Sequence, residues 1–189
     1  MAKAIITPPA SKTDPEKFSL KDHLFNRERV EYLANLFGQA SDQFDAPGFV
    51  RQTMKSLGSL ELKQRIKHIA TTLQDYLSTD FRTAAAQIVA ALPPPLDPKL
   101  KDDDFGDFII APLGEYVVRN GLESKHLSVS LRTLKQLTQR FSMEDSIRYF
   151  LNKFPQETLA ELRKWATDKN YHVRRLVSEG TRPSLPWSG

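Results

Sequence analysis

Apolar residues recur at intervals of three and four through most of this 189-residue chain. This spacing places them on one face of a helix, as Leu62, Ile66 and Ile69 show for a stretch of about four turns. No segment alternates polar and apolar residues with the period of two that marks a strand. The pattern therefore predicts an all-α chain of about nine helices.

Residues that favour helix N-termini mark where these helices begin. The predicted starting residues are Asn26, Asp45, Ser59, Asp80, Asp107, Leu127, Ser142, Pro155 and Asn170. Ser142 and Asp145 resemble a capping box, with aspartate in place of the usual glutamate or glutamine. Gly121 suits the left-handed residue that often follows a helix end.

Two segments lack helical periodicity. Residues 1–19, which contain three prolines, are predicted to be a flexible N-terminal arm. Residues 93–106 contain four prolines and three adjacent aspartates, which cannot continue a helix. This segment could be a domain boundary, but the pieces on either side are small. We therefore expect a long surface loop within one helical domain of residues 20–189.

The helices form antiparallel pairs that repeat about every 30 to 40 residues, as in α-solenoids. Asp168, followed by Val173 and Arg174 at a helix start, is typical of HEAT-type repeats. We therefore predict a HEAT-like α-solenoid. Its last helix lacks a partner, so its apolar face (Val173, Leu176 and Val177) should be exposed or covered only by the tail. We expect a chain that is C-terminally incomplete, or a short solenoid closed by its own tail.

Composition excludes several classes of protein. Cysteine is absent, which rules out disulfides and thiolate metal sites, and the four histidines lack the spacing of a zinc site. No signal peptide or membrane-spanning stretch is evident, so a cytoplasmic monomer without metal or cofactor is the default expectation. Charge is uneven: residues 1–118 carry 14 Lys+Arg and 16 Asp+Glu, net −2, whereas residues 119–189 carry 13 and 7, net +6. A basic half is typical of a polyanion binder, or of a surface kept basic for solubility.

The terminal run from His172 to Trp187, His-Val-Arg-Arg-Leu-Val-Ser-Glu-Gly-Thr-Arg-Pro-Ser-Leu-Pro-Trp, strongly resembles the AlkC branch of bacterial DNA alkylation repair glycosylases. Other stretches are similar to that family in the same order, namely residues 20–26, 60–70, 112–117 and 141–150. The resemblance implies a glycosylase that hydrolyses the N-glycosidic bond of N3-alkylated bases in duplex DNA. The alternatives are a non-catalytic DNA-binding solenoid and a protein-binding helical scaffold.

An N3-alkylated base is cationic and leaves readily, so such an enzyme needs carboxylates near the sugar and an oriented water. Glu115 is a candidate because it lies between apolar residues in mid-helix, although an ion pair with Arg119 at i+4 would also explain it. Glu144 lies in the first turn of its helix, where simple capping is the alternative. Asp168 follows Trp165 by three residues, and the two could hold a cationic base between an indole and a carboxylate. Their alternative is a core tryptophan and a turn aspartate.

A further set of basic and aromatic residues in the C-terminal third is predicted to bind DNA, the cations through its phosphate backbone. Together with Trp165, these residues are Arg148, His172, Arg174, Arg175, Arg182 and Trp187. A solvated basic face is the alternative for the cations. Trp187 could stack on the duplex or only hold down the tail.

Overall fold

The structure is a computed structural model that describes residues 19–99 and 105–184. The predicted arm, except Ser19, therefore lies outside the described residues, as do positions 100–104 of the predicted loop and Trp187. The ten α-helices of the described ranges are α1 Leu20–Leu24, α2 Arg27–Ala40, α3 Ala46–Met54, α4 Leu62–Leu73, α5 Phe81–Ala90, α6 Ala111–Gly121, α7 Leu127–Leu137, α8 Glu144–Lys153, α9 Pro155–Trp165 and α10 Tyr171–Gly180. Single 3-10 turns occur at Leu57–Ser59, Phe108–Ile110 and Ser124–His126.

Side-chain caps begin four of these helices where the sequence predicts them. Asn26 accepts a hydrogen bond from the backbone N–H of α2, and Asp45 and Asp80 do the same for α3 and α5. Asn170 accepts from the second and third N–H groups of α10, those of His172 and Val173. Each cap satisfies backbone donors that have no partner within the helix. These predicted helix starts are confirmed.

Three local predictions are wrong. Ser59 ends a 3-10 turn, and α4 begins at Leu62 because Glu61 forms a capping box with Gln64. Gly121 is the last residue of α6; a positive φ occurs within the described residues at Gly106 instead. The Ser142 hydroxyl donates to the Glu144 carboxylate and accepts no backbone N–H of α8, so it forms no capping box.

The helices stack in two rows. One row consists of α3, α4, α6, α8 and α10, each packed against the next, and the other consists of α2, α5 and α7. Helix α9 packs against α8 and α10 at one end. The core lies between the rows and includes the fully buried Ile69, Leu73, Ile88, Leu113 and Leu134. The predicted all-α solenoid of helix pairs is confirmed for the described residues.

Glycines let neighbouring helices approach closely. A Cβ atom added at Gly114 in α6 would lie 2.6 Å from both Met143 Sδ and Ser146 Oγ at the start of α8. A Cβ atom at Gly180 in α10 would lie 2.5 Å from Ile147 Cγ2 of α8. A side chain at either position would displace these neighbouring side chains, so glycine permits the present packing of α6, α8 and α10 within their row.

The prediction of an uncovered apolar face on α10 is wrong. Val173 and Leu176 are fully buried, and Val177 is half-buried. The reason is that α10 lies in the groove formed by α8 and α9, so its apolar side chains join the continuous core.

Residues 93–99 and 105–107, here called the strap, cross the C-terminal end of α7 and reach the start of α10. The backbone N–H of Leu96 donates to the carbonyl of Gln139, and that of Asp107 donates to the carbonyl of Arg140. At the far end, the N–H of Tyr171 donates to the carbonyl of Pro98 at 3.0 Å. The strap therefore joins the middle of the chain to its last helix.

Arg65 in α4 is a buried cation that fixes the N-terminal helix. Its guanidinium donates to the carbonyl oxygens of Lys21 and Phe25 at 2.9 and 2.7 Å, and to those of Leu60 and Gly58. A contact of 2.5 Å with Asp22 Oδ1 completes the set. Burial of a guanidinium is tolerated only when its donors are paired in this way.

We expect Arg65→Met to lower the free energy of unfolding by about 3 kcal/mol, because it leaves several buried carbonyl groups without donors. Urea denaturation measures the change. Lys67→Met on the exposed face of the same helix is the matched control and should change stability by about 0.5 kcal/mol or less. Similar effects of the two substitutions would show that Arg65 does not hold α1 in place.

Candidate functional site

Two of the three candidate carboxylates lie on helices that pack against each other, α6 and α8. Glu115 follows Gly114 in α6, and Glu144 follows Met143 at the start of α8. Because Gly114 packs directly against Met143, the α6–α8 crossing places both glutamates in the same part of the row. Asp168 lies apart from them, in the turn between α9 and α10.

Glu115 is held at the surface of α6. Its Oε1 atom accepts from Arg119 Nε at 2.7 Å, and Arg119 Nη1 donates to Thr71 Oγ1 of α4 at 2.6 Å. The i+4 ion pair that offered a structural explanation for Glu115 is therefore present. The Glu115 side chain is 18% exposed, and its Oε2 atom accepts no hydrogen bond from the described residues. This leaves one carboxylate oxygen, in a fixed orientation, available to a ligand.

Glu144 is almost completely buried, with its side chain 6% exposed. Burial raises the pKa of this carboxyl, and the hydrogen bond from the Ser142 hydroxyl and the charge of Arg175 offset part of the effect. Arg175 Nη1 lies 3.5 Å from Glu144 Oε2 and donates to Ser142 Oγ at 3.0 Å. The guanidinium also lies over the Phe105 ring of the strap, 4.7 Å from its centre. Arg175 thus serves as the counter-ion of a buried glutamate.

Both oxygens of Asp168 are engaged. Oδ2 contacts Lys135 Nζ at 2.7 Å, and Oδ1 accepts from the backbone N–H of Asn170 at 2.9 Å. Burial alone would raise the pKa of Asp168, but the hydrogen bonds from Lys135 and Asn170 lower it overall. Trp165 is 2% exposed, donates from Nε1 to Glu161, and has Lys135 over its ring at 5.7 Å. Trp165 and Asp168 therefore both contact Lys135, which occupies the position predicted for a cationic base.

The predicted backbone-binding cations mostly contact the chain itself. Arg148 donates to the carbonyls of Arg182 and Pro183, and Arg174 donates to those of Asp168 and Lys169. Arg182 pairs with Glu179 at 3.0 Å. The buried His172 lies with Nε2 3.1 Å from the carbonyl oxygen of Asp97 in the strap. Their predicted role in DNA binding remains a prediction, and Trp187 lies outside the described residues.

Sequence reasoning missed the residues that hold these carboxylates. Ser142 and Lys135 are separated from Arg175 and Asp168 by 33 positions each. No local pattern indicates such pairs, because only the stacking of the helices brings them together. Arg119 was found because its partner lies one turn away on the same helix.

Two further properties of the described residues concern metal binding and membrane insertion. Among them, no three histidine, aspartate or glutamate side chains are grouped so as to bind a metal ion. None of the described helices has the length and apolar character to cross a bilayer.

Known proteins include a solved structure with a similar fold. No family model matches the chain. The alkylpurine DNA glycosylase AlkC of Pseudomonas fluorescens, solved bound to DNA containing an abasic site analog, superposes with a TM-score of 0.75 and 32% sequence identity. The match covers 91% of this chain and 45% of the AlkC chain. The resemblance to AlkC is confirmed.

A second match comes from sequence alone. The uncharacterized protein YhaZ of Bacillus subtilis (strain 168) is 28% identical over 165 residues, which are 87% of this chain and 43% of YhaZ. The AlkC-like chain thus spans less than half the length of both proteins.

We expect Glu144→Gln to stabilise the AlkC-like chain increasingly as the pH rises. A carboxyl with a raised pKa gives its full stability below the ordinary glutamate value of 4.5 and loses it as the pH passes through the raised pKa. Glutamine has no charge to desolvate, so the free energy of unfolding of the variant should gain on that of the wild type over this window.

Urea denaturation at a series of pH values measures this difference. Asp145→Asn, at the next and exposed position, is the matched control and should show a much smaller pH dependence. If the difference between wild type and Glu144→Gln does not change with pH, the raised pKa of Glu144 is wrong.

Proposed function

We propose that this chain acts as a DNA glycosylase that excises alkylated bases from duplex DNA, with N3-alkylated purines as its substrates. The structural match to AlkC, an alkylpurine DNA glycosylase in complex with DNA, is the observation that carries the proposal. The match covers 91% of this chain, so it extends over most of the described helices.

The reaction makes modest demands on the protein. When the N-glycosidic bond breaks, its electron pair moves to the cationic base, which departs as a neutral molecule. Positive charge then develops on the sugar, and a water oxygen forms the new bond to C1′ while a proton passes to a base. A carboxylate close to the sugar stabilises this charge, and a second group orients the water.

Glu115 fits the first of these roles. Arg119 and Thr71 fix its orientation from one side, and its second oxygen remains without a hydrogen bond among the described residues. A pre-oriented carboxylate stabilises developing charge more effectively than a mobile one, because it need not reorganise during the reaction. We therefore assign Glu115 to the stabilisation of the sugar cation.

Glu144 fits a supporting role as proton acceptor. Its raised pKa makes it a stronger base than an ordinary glutamate, and Arg175 keeps it oriented towards Ser142. Asp168 is less suited to either task, because Lys135 and Asn170 engage both of its oxygens. Asp168 should therefore not take over the role of Glu115 in a variant that lacks the Glu115 carboxylate.

The second candidate function is a non-catalytic DNA-binding or protein-binding scaffold. The use of Arg148, Arg174 and Arg182 as donors to the chain's own carbonyl and carboxylate groups favours this alternative, since these cations need no ligand to explain them. The two functions differ in whether any substitution at Glu115 changes base release.

We expect Glu115→Gln to retain DNA binding and to lower the rate of base release on the order of a hundred-fold, because one electrostatic contact with the transition state is lost. Release of alkylated adenine from methylated duplex DNA under single-turnover conditions measures the rate. The melting temperature should change little, since an exposed i+4 ion pair contributes only about 0.5 kcal/mol or less.

Glu123→Gln is the matched control, because Glu123 is an exposed glutamate just beyond the end of α6. It should release base at the wild-type rate. A Glu115→Gln variant that is fully active would exclude Glu115 from the chemistry, and a wild-type chain that releases no base would support the scaffold.

A further inference from the structure

We propose that the exposed edge formed by α3 and α4, with Arg51, Lys55, Lys63 and Lys67, binds the phosphate backbone of duplex DNA beside Glu115. This inference rests on the proposed function, which makes duplex DNA the partner. It moves the principal backbone contact away from the C-terminal arginines and into the half of the chain whose summed charge is negative.

Several cations of the C-terminal third already have partners within the chain. In the C-terminal third, Arg148, Arg174 and Arg175 each donate to carbonyl, hydroxyl or carboxylate groups of the chain. A guanidinium that satisfies internal acceptors gives up those bonds if it turns to a phosphate, so its net contribution to binding is small. The excess positive charge of that region therefore overstates its capacity to bind DNA.

Lys63 and Lys67, by contrast, are available to a ligand. They lie one turn apart on the exposed face of α4, and their ammonium groups form no hydrogen bond or ion pair within the described residues. Arg51 lies on the exposed side of α3, and the exposed Lys55 directly follows that helix at the same spacing of four positions. Helix α3 packs against α4. These side chains lose no internal contact when they meet a phosphate.

The local charge around these residues is positive. Residues 46–74 contain five Lys+Arg and a single acidic residue, Glu61, for a net charge of +4. Glu61 is paired with Lys21 at 2.5 Å, so it neutralises none of the four exposed cations. A sum over residues 1–118 conceals this patch, because the aspartates of the segment 102–104 and of other loops outweigh it. Asp45 and Asp75 lie near Arg51, since all three charges act on the Tyr76 hydroxyl, and they offset part of its charge. Lys55, Lys63 and Lys67 therefore contribute most of the positive charge that attracts a polyanion.

The patch lies next to the candidate site. Thr71 accepts from Arg119, and Gln74 donates to Asn120 at 2.6 Å, so the contacts ascend along both α4 and α6. The two helices therefore run in the same direction. One turn earlier, the register sets Lys67 beside Glu115. A duplex whose backbone follows the lysines of α4 would then bring a sugar towards the Glu115 carboxylate.

Lysine suits this task because its ammonium is a point charge on a flexible stem, which contacts phosphate without reading sequence. Each phosphate contact releases a counterion, so it adds about 0.9 to the slope of log affinity against log salt. Removal of two contacts should therefore lower that slope by about 2.

The test measures the affinity of the full chain for a short unmodified duplex by fluorescence anisotropy over a range of salt concentrations. We expect the double variant Lys63→Ala/Lys67→Ala to bind more weakly and to have a slope smaller by about 2. Arg163→Ala/Lys169→Ala removes two exposed cations in and after α9 and is the matched control, with an unchanged slope. Lys63→Arg/Lys67→Arg keeps the charge and should keep the slope.

Base release separates this inference from the proposed function. If the inference holds, the alanine pair raises KM for methylated duplex and leaves kcat near the wild-type value. A wild-type chain that binds DNA and releases base, combined with an unchanged slope in the alanine pair, overturns the inference alone. A wild-type chain that binds no DNA overturns both.

Discussion

The arrangement of the candidate site depends on how closely α6, α8 and α10 approach one another. Gly114 of α6 and Gly180 of α10 lie so close to side chains at and after the start of α8 that an added methyl group would displace those side chains. At this spacing Arg175 of α10 reaches the Ser142 hydroxyl and the carboxylate of Glu144, both at the start of α8. A wider spacing would leave the glutamate buried without its counter-ion, which is strongly unfavourable. The packing of small residues and the electrostatics of the site are therefore a single constraint.

Buried and half-buried cations contribute to the fold in a consistent way. Arg65, Arg140, Arg148 and Arg174 all donate to backbone carbonyl oxygens near helix or loop ends. A helix leaves its last four carbonyls without internal partners, and a planar guanidinium can satisfy several at once. Much of the arginine content is thus a structural requirement of a fold with many helix ends. The basic isoelectric point of about 9.3 includes this contribution and is not a measure of ligand binding alone.

The fold could be predicted from the sequence wherever its cause is local. Helical periodicity and the caps at Asn26, Asp45 and Asn170 act over a few residues, so their positions can be read directly from the chain. The start of α4 was misplaced because Ser59 and Glu61 are both able to cap, and the 3-10 turn decides between them.

The site was less predictable, because its determinants are long-range. Glu115 and Arg119 could be paired from their i+4 spacing, and the structure has that pair. Arg175, the partner of Glu144, lies 33 positions from Ser142, and the sequence analysis predicts a phosphate contact for it instead. A sequence shows the charge of an arginine but not which acceptors the stacked helices bring close to it. For the same reason, the summed charge of each half concealed Lys63 and Lys67.

The strap changes what kind of object this solenoid is. Repeats that touch only their neighbours behave like beads on an open spring, and the terminal bead opens independently of the rest. Here the hydrogen bond between His172 and Asp97 closes a loop of 75 positions, and Pro98 accepts from the first N–H of α10. The last helix can therefore detach only if its hydrogen bonds to the strap break. Because the strap links the terminal and central parts of the chain, local unfolding of the C-terminal end is opposed by contacts with the middle of the chain.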